Sequence, residues 1–285
     1  MASAKEIRGQ IKAVQNTAKI TKAMEMVAAS KMRKAQDRAR DARAYAEGIY
    51  RVIHNLMQAH PEYAHPFLVE REEVRRVGLV LITTDKGLCG GLNNNELRLA
   101  LEVMKRERVP VDVMTIGRRG ELFMRRVGAN NLASKQEIPD APEVSDILGV
   151  ARVAMDAFIE GKLDRVWLVC NEFVNTMTQR PKAVQLLPCP IPEEGGHEGY
   201  WDYIYEPDSR QVLDGLLERY VESIIFNAVI ENKACEHSAR MVAMKAATDN
   251  ANGVVKELRI TYNKARQAAI TQEIAEIVAG SAATS

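Results

Sequence analysis

The chain has 285 residues, of which 46% are hydrophobic and 27% charged, with a formal net charge of +1; this composition is globular and excludes a disordered chain. Aromatics supply only 5%, so the core must be built from aliphatic residues, Met and Ala, which suits long helices better than a β-sandwich. The near-neutral total hides a division, because residues 1–57 carry 12 Lys or Arg against 5 Asp or Glu while residues 208–285 carry 9 against 10, so a basic N-terminal segment is set against a remainder that can complement it.

The opening residues MASAKEIRG lack the apolar centre of a signal peptide and the Arg/Ser-rich character of a transit peptide. The longest strongly apolar runs, such as VGLVLI, are too short to cross a bilayer. A soluble cytoplasmic chain with no direct membrane span is expected. From Ile7, steps of four and three residues reach Ile11, Val14, Ala18, Thr21, Glu25, Ala28, Met32, Ala35, Ala39, Ala42, Ala46, Ile49, Ile53 and Leu56. All but Thr21 and Glu25 are apolar, and a 3.5-residue repeat kept for so long is a coiled-coil seam. No Pro precedes Pro61 and no Gly lies between Gly9 and Gly48, so nothing breaks the helix. Lys5, Lys12, Lys19, Arg33 and Arg40 recur at seven-residue spacing, with Met26 in the one gap. Beside the seam Ile20, Met24 and Val27 form a second apolar stripe, which one partner helix cannot also cover. Something further is expected to surround this helix.

The middle of the chain alternates between strand and helix patterns. RRVGLVLITT, VDVMTIG, DRVWLVCNEFVN and KAVQLLPCP read as strands, the last two joined by a turn around Thr178 to Pro181. NNELRLALEVMKRE, RGELFMRRVG and SDILGVARVAMDAFIEG read as helices. The expected body is a compact α/β domain with a partly parallel sheet. After YEPDSR the sequence runs to Ala279 without a proline, and a second seam passes through Met241, Met244, Thr248, Ala251, Val255, Leu258, Tyr262, Ala265 and Ala269. The two terminal helices are natural partners, with segment boundaries expected at 1–57, 58–207 and 208–285.

Chemistry is sparse. TTDKGLCGGLN has the position of a phosphate-binding turn, but it matches neither GxGxxG nor GxxxxGK[ST]. A structural turn is the expectation for it and for GRRG at Gly117 to Gly120, with Asp85 and Lys86 as charges on a solvated turn. Cys89, Cys170, Cys189 and Cys235 have no ligand spacing and read as buried free thiols, the five histidines are scattered, and no GxSxG or HExxH occurs. No catalytic residue, cofactor or metal site is assigned. Two alternatives remain open on these residues: an α/β nucleotide-binding enzyme using Gly87 to Gly91, and a nucleic-acid-binding coiled coil using the basic ladder as a phosphate track.

Four long strings carry a more specific signal: AKEIRGQIKAVQNTAKITKAMEMVAASKMRKAQ, TTDKGLCGGLN, WDYIYEPD and ARMVAMKAATDNANGVVKELRITYNKARQAAITQEIAEIVAGSAA. In this order they resemble the gamma subunit of the rotary F-type ATP synthase over essentially the whole chain. The resemblance implies an α/β fold class: a long antiparallel coiled coil of the N- and C-terminal helices with a compact Rossmann-like α/β globular domain. It implies a central rotor shaft without catalysis of its own, and as partners the alpha and beta subunits of the catalytic hexamer, the epsilon subunit and the membrane rotor ring, with no nucleic acid. It further implies that Met24, Arg266, Gln267 and Thr271 face the beta subunits, that Ile270, Ile274, Ile277 and Val278 turn in an apolar sleeve, and that Tyr203, Tyr205 and Glu206 meet the ring. The dithiol segment of the plant chloroplast form is missing after GLCGGLN, so thiol regulation is not expected, and a bacterial enzyme at the cytoplasmic face of the cell membrane is the implied setting.

Overall fold

Heptad spacing without a breaker produces one helix, α1, from Ala4 to Ala59 in the computed structural model, which describes residues 4–59, 65–190 and 209–283. Then follow β1 (Val77–Ile82), α2 (Leu92–Glu107), β2 (Val111–Ile116), α3 (Arg118–Val127), β3 (Asn130–Lys135), α4 (Leu148–Ile159), β4 (Arg165–Phe173), β5 (Gln179–Leu187) and α5 (Ser209–Ala283). No described helix is long and apolar enough to cross a membrane. The chain divides into two compact units, Met1–Ala28 with Met241–Ser285, and Ala29–Arg240.

In the first unit the seams are the buried lines. Ile7, Ala18, Thr21 and Ala28 are buried on α1, and Met244, Thr248, Ala251 and Val255 on α5. Their two polar members satisfy each other, Thr21 Oγ1 lying 2.7 Å from Thr248 Oγ1. Glu25, the other polar seam position, is half-buried and accepts from Lys22 Nζ at 3.0 and 3.1 Å. The C-terminal seam stops earlier than its spacing suggests. Ala265 is half-buried, but Ala269 is exposed, as is every residue from Arg266 to Val278. The Thr21–Thr248 pair explains this, because in antiparallel register Ala4 comes level with Ala265, and beyond that point the described α1 has ended.

The second unit is built on a five-stranded sheet of order β3-β2-β1-β4-β5. β1 pairs in parallel with β2 and β4, β2 pairs in parallel with β3, and β5 closes one edge antiparallel to β4. On one face Val80, Ile82, Met114 and Ile116 pack with Phe158 of α4, Ile49 and Ile53 of α1, and Leu213, Leu217, Val221 and Ile225 of α5. On the other, Leu79, Leu81, Val113 and Val169 pack with Leu97, Ala100 and Val103 of α2 and Met124 of α3. Strand β1 is buried along its whole length, which is why it reads as an unbroken apolar run rather than an alternating one.

Two details differ from the sequence reading. β3, with sequence NNLASK, was not foreseen: it is an exposed edge strand and therefore carries no apolar alternation. The β4–β5 turn lies earlier than expected, at residues 174–178, where Asn175 Oδ1 accepts from the N–H groups of Met177 and Thr178 at 2.9 Å. Pro181 stands inside β5 opposite Asn171, a position an edge strand tolerates because the missing N–H faces away from the ladder.

Candidate functional site

The Gly-rich turn after β1 spends its polar groups on the fold. The Asp85 carboxylate accepts the N–H groups of Arg118, Glu137 and Ile138 at 3.0 to 3.1 Å. The Thr84 N–H donates to Asn93 Oδ1 at 3.2 Å, and Asn93 Nδ2 donates back to Thr84 Oγ1 at 2.8 Å. Gly117 has φ of 100°, and a Cβ there would stand 2.2 Å from the Thr83 carbonyl oxygen, so GRRG is a turn set by steric necessity. Both segments act as structural turns, as expected; Lys86 is an exposed charge on the first, whereas Asp85 is a half-buried anchor for three backbone N–H groups rather than the solvated charge expected.

Open α/β sheets hold ligands at the carboxyl ends of their strands, and at that end of β4 three buried polar side chains bond to one another. Asn171 Nδ2 on β4 donates to Glu96 Oε2 on α2 and to Asn232 Oδ1 on α5, each at 2.9 Å, and all three residues are buried. Burial pushes the Glu96 carboxyl well above the usual range, against the opposing hydrogen bond from Asn171, so the neutral acid is favoured. The four cysteines are free and buried. Burial pushes the Cys170 and Cys189 thiols up to about 12, and raises Cys89 and Cys235 as well; these thiols are poor nucleophiles. Among the described residues there is no group of three or more His, Cys, Asp or Glu able to hold a metal.

The unusual chemistry is on the surface of the coil. Ile20 is 61% exposed and Val27 54%, beside a half-buried Met24. Lys5, Lys12, Lys19, Met26, Arg33 and Arg40 are all exposed, so the ladder is a surface line. On α5 Arg266, Gln267 and Thr271 are exposed, with Thr271 Oγ1 donating to the Gln267 carbonyl at 2.9 Å. Ile270, Ile274, Ile277 and Val278 are exposed too, Ile277 to 71%, and their spacing sets them along one side of the helix. Tyr203, Tyr205 and Glu206 lie outside the described residues. Sequence reasoning missed Val254 and Ile260, exposed apolar residues of the same helix. The available signal was spacing: Ile260, Gln267 and Ile274 follow one another at seven-residue intervals.

A family model described as ATP synthase matches residues 3–284. The ATP synthase gamma chain of Thiobacillus denitrificans is 54% identical over 289 residues, covering 99% of this chain and 100% of that one. The gamma chain of Coxiella burnetii is 55% identical with 99% of each covered, and that of Legionella pneumophila 52% identical with 99% and 100% covered. Among solved structures, the rotor of the Euglena gracilis mitochondrial ATP synthase superposes with a TM-score of 0.66 at 20% identity, covering 94% of this chain and 98% of that one. The central stalk and c-ring structure of the Tetrahymena thermophila mitochondrial enzyme contains a chain that superposes with a TM-score of 0.59 at 24% identity, covering 80% and 99%. The solved structures share the fold, the bacterial relatives share half the residues from end to end, and the chain belongs to the ATP synthase gamma chain family.

Proposed function

We propose that the chain works as the central rotor shaft of an F-type ATP synthase, turning inside a hexamer of alternating alpha and beta subunits and coupling ion flow through the membrane ring to ATP synthesis or hydrolysis. The observation that carries this reading is the surface of the coil, which leaves Ile20, Val27, Ile260, Ile274 and Ile277 outside while the seam buries Ala18, Thr21, Ala28, Thr248 and Ala251 beside Ile7, Met244 and Val255. Large apolar side chains are left exposed in such number where a partner covers them. In this reading Met24, Arg266, Gln267 and Thr271 meet the beta subunits. Ile270, Ile274, Ile277 and Val278 turn in an apolar sleeve at the tip, and Tyr203, Tyr205 and Glu206 contact the ring at the opposite end. Epsilon is a further partner, and the site of action is the cytoplasmic face of a bacterial membrane. Residues 1–57 and 208–285 serve as the shaft and 58–207 as the globular foot.

The chain makes and breaks no covalent bond. Its two helices differ in outer surface, so each beta subunit faces a different side and settles in a different conformation; rotation exchanges those states. Small seam residues keep the shaft slender. Met at Met24 and Met26 gives contacts that repack as successive partners pass.

Reconstitution tests this. The purified chain alone is expected to hydrolyse no ATP, whereas the alpha and beta subunits should need it for cooperative turnover. ATPase activity intrinsic to the isolated chain, or full cooperativity of the hexamer without it, overturns the reading.

A further inference from the structure

One loop of the α/β unit receives side chains from both long helices. It follows β3 and begins at Glu137 and Ile138, whose N–H groups are anchored on the Asp85 carboxylate. From α1, Lys31 Nζ donates to Asp140 Oδ2 at 2.6 Å and Arg38 Nη1 donates to the Asp140 carbonyl at 3.0 Å. From α5, the buried Lys233 donates through Nζ to the Ile138 carbonyl at 2.9 Å. His237, also buried, brings Nε2 within 3.3 Å of Asp140 Oδ1, at ion-pair distance though off the line of a hydrogen bond. Lys31 and Arg38 are seven residues apart and Lys233 and His237 four, so each pair lies on one face of its helix. A second tie runs from α5 to the Gly-rich turn, where Arg240 donates through Nη2 to the Gly87 carbonyl at 3.1 Å and to Glu236 Oε1 at 2.7 Å.

The packing around this loop explains why such ties are needed. Over the same stretch the α1 seam is Ala35, Ala39 and Ala42, each burying much less surface than a Leu or Ile would. Apolar contact is also non-directional. A slender Ala seam resists rotation of α1 against its support only weakly, whereas α5 is already held here by its burial in the α/β unit. Hydrogen bonds have direction, and here they run from two helices to a single loop of the sheet domain.

We propose that the loop from Ile138 to Asp140 is the torque lock of the rotor, holding α5 through the Ile138 carbonyl and α1 through Asp140, the positioning residue that fixes α1 in rotational register with the α/β body. The proposal rests on the rotor reading above and adds to it the place where torque passes from coil to body. Asp140 touches no nucleotide. It acts by keeping turning of the helices from being lost as slip.

The test uses the whole enzyme in sealed membrane vesicles, comparing protons pumped per ATP hydrolysed for the wild type, Asp140→Ala, Asp140→Glu and Lys31→Met. Lys31 is at a half-exposed position, which makes Lys31→Met a variant that folds even if Asp140→Ala does not. An ion pair of this exposure is worth little in global stability, but its loss raises the population of the unlocked arrangement about threefold. The expected result is a lowered pumping ratio in Asp140→Ala and Lys31→Met with ATP hydrolysis near normal, and recovery towards the wild-type ratio in Asp140→Glu. A wild-type ratio in both of the first two variants overturns the lock, as does a fall of hydrolysis and pumping in equal proportion. If vesicles lacking the chain altogether still couple hydrolysis to pumping, the rotor reading fails, and the lock with it.

Discussion

The two units solve opposite packing problems with the same residue types. In the unit of residues 29–240, Leu79, Leu81, Phe158 and Leu168 are sealed inside, and the charges stand at the edges or in paired networks. In the unit of residues 1–28 and 241–285, Ala18, Ala28 and Ala251 are inside while Ile20, Met26, Ile260 and Ile277 are outside. The first arrangement is that of a domain stable on its own. The second buries Ile7, Met244 and Val255 but gives up roughly 1.5 to 3 kcal/mol for each large residue left in water. In the rotor reading proposed above the missing burial is supplied by other subunits, so the contrast separates what the chain needs for folding from what it needs for work.

The contrast is broken most severely by cutting into the α/β core. Phe158 is fully buried, packs against Phe67, and lies beneath the Arg71 guanidinium at 5.2 Å. Phe158→Ala should cost about 3 to 5 kcal/mol, read as a shifted denaturation midpoint of the isolated chain. A loss below about 1 kcal/mol would place the stability of this unit elsewhere than its sheet core.

A smaller effect is expected from overfilling the coil. Ala28 is a buried seam residue, so Ala28→Leu should push the helices apart at a cost of about 1 to 3 kcal/mol. Thermal melting should show a lower or split transition, since the coil and the α/β unit have separate cores. If Ala28→Leu stabilises the chain instead, the small-residue seam is not filled to capacity.

Much of this contrast was legible in the amino-acid pattern. The seams announced themselves because the 3.5-residue period survives substitution of Leu by Ala, and β1 because a strand buried on both faces reads as an apolar run. β3 was silent because an exposed edge strand needs no apolar residue. The stretch of α5 from Val221 to Ser238 was silent in another way. It is almost wholly buried in the α/β unit, yet it carries Glu222, Asn232, Lys233, Glu236 and His237, residues that look like a solvated face until their partners are seen. The Asp140 network and the Glu96–Asn171–Asn232 cluster are likewise invisible in one dimension, since each joins segments far apart in the chain.

Glu96 sharpens the comparison through pH. Its carboxyl is held above the usual range by burial, so the folded chain binds this proton more tightly than the unfolded chain does. Its contribution is therefore fully present below the unfolded pKa, and is lost as pH rises through the folded one. The groups facing the cluster, Cys170, Glu172 and Lys182 from the sheet and Glu231 and Cys235 from α5, are the same in Glu96→Gln. The variant should gain stability relative to the wild type as pH is raised, with the difference vanishing towards acid. Melting temperatures measured from pH 4 to 9 check this, and a difference independent of pH would mean that folding does not shift the Glu96 carboxyl.

The polar contact in the coil seam is expected to matter less. Thr21 and Thr248 share a hydrogen bond at 2.7 Å, and Thr248 Oγ1 also lies 2.8 Å from the Met244 carbonyl. Thr21→Val leaves Thr248 that second, local partner, so the loss should be about 0.5 to 1.5 kcal/mol. A double-mutant cycle with Thr248→Val should return a positive coupling energy. Zero coupling would mean that the two hydroxyls bond only to their own helices.

The smallest effect on folding is expected at the surface that sets the coil apart. Ile274 and Ile277 lie on a stretch of α5 exposed on every side, and the described α1 does not extend far enough to cover them. Replacing both by Ser removes no buried contact within the chain, so the stability of the isolated protein should change by no more than about 0.5 kcal/mol. In the assembled enzyme the same pair stands where an apolar sleeve is proposed, and there the double variant should weaken retention of the shaft, seen as a lower yield of intact complex or faster loss of the chain on dilution. The two measurements pull apart only if the exposed apolar face exists for a partner. Should the isolated chain lose as much stability as it does with Ala28→Leu, these isoleucines belong to an internal core, and the division between a folding unit and a working surface disappears.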